Sequence, residues 1–184
     1  MACWPPFPGK REAAPAGAWG SGPRAPGPGA VPGGGCSGVS LVVVETMVAA
    51  LPEQAYALAK DMESYPQFMK DVVSVRILSE EPGSQTTEWR ARLQGKILRW
   101  TERDVFDDAA CTITYHQVEG DLKRFQGAWG FEAVPGGTRI TLSCDFDLGI
   151  PMLAGLLDPV ARLVIKRSFQ EMIAALGARL AATG

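Results

Sequence analysis

The sequence predicts an α+β domain: a curved seven-stranded antiparallel sheet, two short helices after the first strand, and a long C-terminal helix closing an apolar cavity. Three observations predict it. Between residues 72 and 149, stretches of alternating apolar and polar residues follow one another through turn sequences. That is the pattern of an antiparallel meander with one buried face. A β-branched run and a proline-led helical stretch precede the meander, and after residue 151 the apolar period lengthens to that of a helix.

Leu41–Ala49, "LVVVETMVA", is β-branched and reads as the first strand. Pro52 opens a helix, "PEQAYALAKDM", because a proline in the first turn loses no hydrogen bond. The helix should break at Ser64-Tyr65-Pro66, since the residue before proline avoids the helical region. A short helical turn, "QFMKD", is expected next. "VVSVRILSEE" and "QTTEWRARLQ" flank the turn "PGS". In the second, Thr87, Trp89, Ala91 and Leu93 share one face and Glu88, Arg90 and Arg92 the other. Gly95 ends it. "ILRWTERDVF", "CTITYHQVE", "LKRFQGAWGFEAV" and "TRITLSCDFDLG" complete the meander through "DDAA", "GD" and "PGG" turns.

The long helix carries an apolar stripe of Leu157, Val160, Val164, Met172, Leu176 and Leu180, with Phe169 and Ile173 beside it. Lys166, Arg167, Glu171 and Arg179 suit its solvated side. Pro159 should lie in its first turn or in a separate preceding turn. A seven-stranded sheet is too wide to stay flat. It curls, and the helix can close the open side over a cavity, the usual form of a small-molecule site.

Composition narrows the function. The chain has 184 residues, enough for one domain with a core. A net charge of −2 gives no field that would attract nucleic acid. No run of about 18 apolar residues marks a membrane span, though a transient membrane contact is compatible with the composition. Cys3, Cys36, Cys111 and Cys144 are scattered, and with His116 the only histidine they do not make a zinc site. No metal or other cofactor is expected. A reduced, cytoplasmic protein is the simplest reading. "VPGGTR" is a hairpin turn, without the spacing of a phosphate loop.

Residues 1–39 are dense in proline, glycine and alanine and are read as a disordered extension to a domain at 40–184. The segment is arginine-containing and poor in acids, as a transit peptide would be. We favour the simpler reading of an untranslated upstream frame, with translation starting near Val39 or Met47.

Two stretches carry a resemblance. "AKDMESYPQFMKDVVSVRIL" is similar to the recurrent helix–Tyr-Pro–Phe–strand entry of the START-like superfamily of helix-grip proteins, which includes polyketide cyclases. "YHQVEGDLKRFQGAWGFEAVPGGTRITLSCDFDL" resembles its central hairpins. The resemblance runs from about Val42 to Leu180. It points to coenzyme Q-binding START proteins and oligoketide cyclase/lipid transport proteins, to the bacterial ribosome-association toxins, and to single-domain aromatase/cyclases. It implies a hydrophobic pocket between sheet and C-terminal helix. Matched by position, the inward side chains are Trp89; Trp100, Glu102 and Asp104; Ile113, Tyr115 and Gln117; Phe125, Gly127 and Trp129; Leu142, Cys144 and Phe146. Alternation gives the same face for most of these. For Glu102 and Asp104 only the resemblance points inward.

The expected ligand wall is therefore Trp89, Trp100, Tyr115, Phe125, Gly127, Trp129, Leu142, Cys144 and Phe146. Its aromatics fit a flat apolar pocket, or simply a filled core. Gly127 leaves a gap in the inward row between Phe125 and Trp129, which is read as space for ligand. Gly130, on the other face, is read as a bend or bulge. Glu102, Asp104, Tyr115 and Gln117 are the candidate catalytic groups. If both face an apolar cavity, desolvation and mutual repulsion should raise the pKa of at least one, and one could then act as general acid or base. The plainer alternative pairs them with Arg90, Arg92, Arg99 or Arg103. Aromatase/cyclases typically place arginine near the Asp104 and Gln117 positions and glutamine near Cys144, and this chain does not. His116 should point outward, and Cys144 is read as a small core hydrophobe. Binding of a polyprenyl quinone, lipid or polyketide without chemistry is the first reading. Polyketide cyclase or aromatase activity is the second, and a ribosome-associated interaction role the third.

Overall fold

The computed structural model describes residues 40–149 and 154–183, so the extension at 1–39, with Cys3 and Cys36, lies outside the described residues. The order is β1 (Ser40–Val48), α1 (Pro52–Lys60), a 3-10 helix (Met62–Gln67), β2 (Val72–Glu81), β3 (Ser84–Leu93), β4 (Lys96–Asp107), β5 (Thr112–Gly120), β6 (Arg124–Val134), β7 (Gly137–Asp147) and α2 (Ala154–Thr183). All seven strands form one sheet in the order β1-β7-β6-β5-β4-β3-β2. β2 to β7 are a meander, and β1 closes on β7 with Val44 opposite Leu142. This is the helix-grip arrangement the sequence implies.

Turn chemistry fixes the hairpins. Gln94 and Gly95 both have positive φ, at 50° and 78°, between the paired residues Leu93 and Lys96. A two-residue hairpin turn of the primed type demands that conformation at both central positions. The register slips once between β4 and β5, where Thr101 faces Glu119 but Glu102 faces Gln117. Val118 is thus the extra residue of a β-bulge beside Glu102. Sequence reading placed a bulge at Gly130 instead, but Gly130 pairs with Thr112 and Thr141 without interruption.

The helices pack on part of the inner face. α1 lies over β6 and β7, and α2 leans chiefly on β1. Gln54 Oε1 accepts the Leu51 N–H at 3.0 Å and caps α1. The second helical piece is the 3-10 turn itself, containing Tyr65-Pro66, rather than a turn after it. It is anchored by Tyr65, whose hydroxyl donates to Ala59 O at 2.7 Å and whose ring meets Trp89 edge-on at 5.8 Å.

Two expectations about α2 need correction. Pro159 sits inside the helix, in its second turn, where it removes the bond to the carbonyl of Gly155. The buried stripe runs through Ile165, Phe169, Ile173 and Leu176, while Val160 is 59 % exposed. Leu157 lies among residues whose side chains are outside the description. The helix is apolar on several sides, so its periodicity alone did not fix which side faces inward.

Candidate functional site

A cavity of about 450 Å³ lies between α2, the 3-10 helix and the β3–β6 part of the sheet. Its inner wall is an aromatic chain. Trp89 and Trp100, cross-strand partners on β3 and β4, stack at 5.5 Å with planes 7° apart. Trp100 meets Phe125 of β6 at 5.7 Å, and Phe125 meets Phe169 of α2 at 6.4 Å. Stacked and edge-on pairs hold the rings in fixed poses, which keeps the wall from collapsing inward.

Of the expected wall, Trp89, Trp100, Tyr115, Phe125, Trp129 and Leu142 line this cavity, as do Glu102 and Gln117. Cys144, Phe146 and Asp104 do not; they are buried in the sheet's packed layer. Gly127 also fails to line it, and its gap is not empty. Tyr115 is its cross-strand partner, and the Tyr115 hydroxyl crosses the glycine to donate to Ser143 O at 2.8 Å. A Cβ on Gly127 would sit 1.9 Å from that same carbonyl oxygen. The glycine is there for close backbone approach, not for ligand. His116 is exposed and lies with Gly127 in a shallow outer dimple.

Glu102 and Asp104 are 5 % and 0 % exposed, and neither meets an arginine. Arg103, the arginine between them, pairs with Glu81 at 2.6 Å on the outer face. Indole and hydroxyl donors hold the two acids instead. Trp100 Nε1 donates to Glu102 Oε2 at 2.6 Å. Trp89 Nε1 donates to Thr87 Oγ1 at 2.8 Å, and the Thr87 hydroxyl in turn donates to Asp104 Oδ2 at 2.9 Å. Asp104 Oδ1 is buried with no hydrogen-bond partner, and the neighbouring Glu102 carboxyl acts on the titration of Asp104.

Burial and then the charge of Asp104 push Glu102 well above the usual carboxylate range. Burial raises Asp104 to about 6, against the Thr87 hydroxyl that holds it down. Near neutral pH the pair therefore keeps one proton, carried by Glu102. Tyr115 is held far above its ordinary value by burial and so stays neutral. Gln117 Nε2 donates to Leu122 O at 2.6 Å. Burial pushes the Cys144 thiol up to about 12, which leaves no thiolate. Among the described residues no cluster of metal ligands exists and no helix is long and apolar enough to cross a membrane.

The polyketide cyclase / dehydrase and lipid transport family matches residues 48–173. The chain belongs to this family. The curated relatives it is similar to differ in what they are named for. The actinorhodin polyketide synthase bifunctional cyclase/dehydratase of Streptomyces coelicolor is 28% identical over 123 residues, 63% of this chain and 39% of that one. This chain thus spans about two fifths of that relative. The ribosome association toxin RatA of Escherichia coli is also 28% identical over 123 residues, 66% of this chain and 72% of the toxin. Among solved structures, a Thermus thermophilus protein superposes with a TM-score of 0.74 and 30% identity over 78% of this chain and 99% of that one. The Zhui aromatase/cyclase from Streptomyces has a TM-score of 0.67 at 24% identity, covering 76% of this chain and 92% of its own, a likeness of fold.

Sequence reasoning missed Thr87 as a hydrogen-bond link and Tyr65, Phe68 and Met172 as cavity walls. Thr87 was legible on the inward face of β3. Tyr65 and Phe68 stood in the family-like stretch without an assigned place.

Proposed function

We propose that the protein is a carrier or chaperone that binds a hydrophobic small molecule, of polyprenyl quinone, lipid or polyketide type, in the cavity between sheet and α2. The observation that carries this reading is the cavity of about 450 Å³ behind a fixed aromatic wall, with Glu102 and Gln117 as polar groups on its sheet side. That size suits a small apolar ligand, and burial of the Trp100 and Phe125 faces would supply most of the affinity. The unbridged thiol of Cys144 suits a cytoplasmic setting. Organic extraction of the natively purified protein, followed by mass spectrometry, should yield a stoichiometric apolar compound. A cavity that stays empty and takes up no neutral dye such as N-phenyl-1-naphthylamine would sink the proposal.

The proton that Glu102 keeps beside Asp104 favours a second reading, cyclase or aromatase activity. Glu102 can offer that proton to a ligand carbonyl, the charge then resting on its own carboxylate, a general-acid arrangement. The Tyr115 hydroxyl is committed to Ser143 O and the Gln117 amide has no acidic proton, so Glu102 is the group with a proton to give. Glu102→Gln separates the readings. Ligand binding survives it under both, whereas product formation from a poly-β-ketone thioester disappears under the second.

A further inference from the structure

The cations of the sheet divide sharply by place. Arg76, Arg103, Arg124 and Arg139 each meet a carboxylate within 3.1 Å. The remaining four, Arg90, Arg92, Lys96 and Arg99, form no ion pair among the described residues, and all sit in the end of the β3–β4 hairpin. Arg90 and Arg99 are direct cross-strand partners, an arrangement of like charges that costs stability. Arg90 Nε is buried with no partner at all. Asp121 is near, but its Oδ2 accepts the Arg99 backbone N–H at 2.8 Å.

This hairpin end also borders the cavity. Arg92 and Arg99 line it with Leu93 and Leu98, as do Asp71, Asp121 and the Lys70–Glu171 pair from neighbouring elements, and Ile97 is 37 % exposed. Cations and apolar side chains thus alternate around a two-residue turn held in one conformation by Gln94 and Gly95.

We propose that the β3–β4 hairpin docks this border of the cavity onto an anionic lipid bilayer. The surface of such a bilayer supplies the charge that Arg90, Arg92, Lys96 and Arg99 lack, and its acyl layer receives Leu93, Ile97 and Leu98. Lysine and arginine stems lie along apolar surface while their heads reach phosphate. Nucleic acid offers the charge without an apolar layer for Leu93, Ile97 and Leu98. An apolar ligand could then pass between bilayer and cavity without crossing water. Only that last consequence rests on the cavity being a ligand site.

The test is flotation of the full chain with vesicles of phosphatidylcholine containing phosphatidylglycerol (about a third anionic), against pure phosphatidylcholine, in low and high salt. Binding at least about tenfold tighter to the anionic vesicles, lost in high salt, is expected. Each cation near the surface accounts for roughly fivefold, so R92Q/K96Q/R99Q should lose about a hundredfold without a lowered melting temperature. The single variants, each down about fivefold, serve if the triple does not fold. Equal binding to both vesicles, or an unaltered triple variant, overturns the proposal. So does a preference for polyuridylate over anionic vesicles at equal phosphate. Uptake of N-phenyl-1-naphthylamine by the parent chain is read separately, so a failed cavity and a failed hairpin give different results.

Discussion

Across the inner face of the sheet, the β6–β7–β1 half and the β3–β4 half carry side chains of similar bulk and end in opposite states. Phe131, Ile140 and Phe146 are sealed at 0–1 % exposure. Tyr56 of α1 closes on Phe131 edge-on at 5.8 Å, and Trp129 stacks on it at 6.2 Å. Trp89 and Trp100 are larger, yet they front an open volume. What differs is helix placement. α1 lies over β6 and β7 and α2 leans on β1, so the β3–β4 side has only the 3-10 turn and the far face of α2 opposite it. The protein makes space by withholding a lid from one half, not by using smaller residues there.

Four substitutions break or sharpen that contrast. Phe131→Ala in the sealed half should cost about 3–5 kcal/mol, because the site cannot collapse between two helices and a sheet. Urea denaturation checks it, and a loss under about 1 kcal/mol would mean this half is not the solid one. Gly127→Ala should cost about 1–3 kcal/mol, since its Cβ meets backbone at Ser143 and displaces the Tyr115 hydroxyl. Its dye uptake should track stability alone; selective loss of uptake in a fully stable variant would return Gly127 to the cavity wall.

Asp104→Asn probes the acid pair. Asp104 is raised to about 6, so the folded chain keeps a proton that the unfolded chain has released. Folding then binds protons, and stability falls as pH rises from about 4 to 6, and further through the range of Glu102. The variant should flatten that fall, by on the order of 1–3 kcal/mol between those limits. Parallel stability–pH curves for parent and variant would contradict it. Trp100→Ala, in the open half, should cost the least stability, about 1–2 kcal/mol. It should nevertheless weaken dye binding at least about tenfold through the lost ring face. Fluorescence titration separates the two effects.

The fold was readable because local signals agreed. Clean alternation on β3, with Thr87, Trp89, Ala91 and Leu93 together, set the inward face, and each turn carried its own glycine, proline or aspartate. The phase of α2 was not readable, since Val160 and Leu163 are as apolar as the buried Ile165 and Phe169. Only the position of β1 decides between them. The aromatic wall was legible residue by residue, but Cys144 and Phe146 share its parity without reaching the cavity, which ends before them. Gly127 misled for a related reason. A glycine in a strand marks closeness or space, and which one depends on the cross-strand partner, here Tyr115. The inward turn of Glu102 was hidden because β4 places its acids inside and Ile97 and Val105 outside, the reverse of simple patterning.

The closure of β1 onto β7 sets a timetable for folding. Val44 emerges from the ribosome 98 residues before its partner Leu142, whereas each strand of the meander has a partner one turn away. Hairpins from β2 onward can assemble during synthesis, but β1 must wait as an unpaired, β-branched segment until nearly the whole domain is made. The platform for α2 is laid down last, so the roof of the cavity is also last to arrive. A nascent chain paused before β7 would expose Val42, Val44 and Val48, which the finished sheet buries.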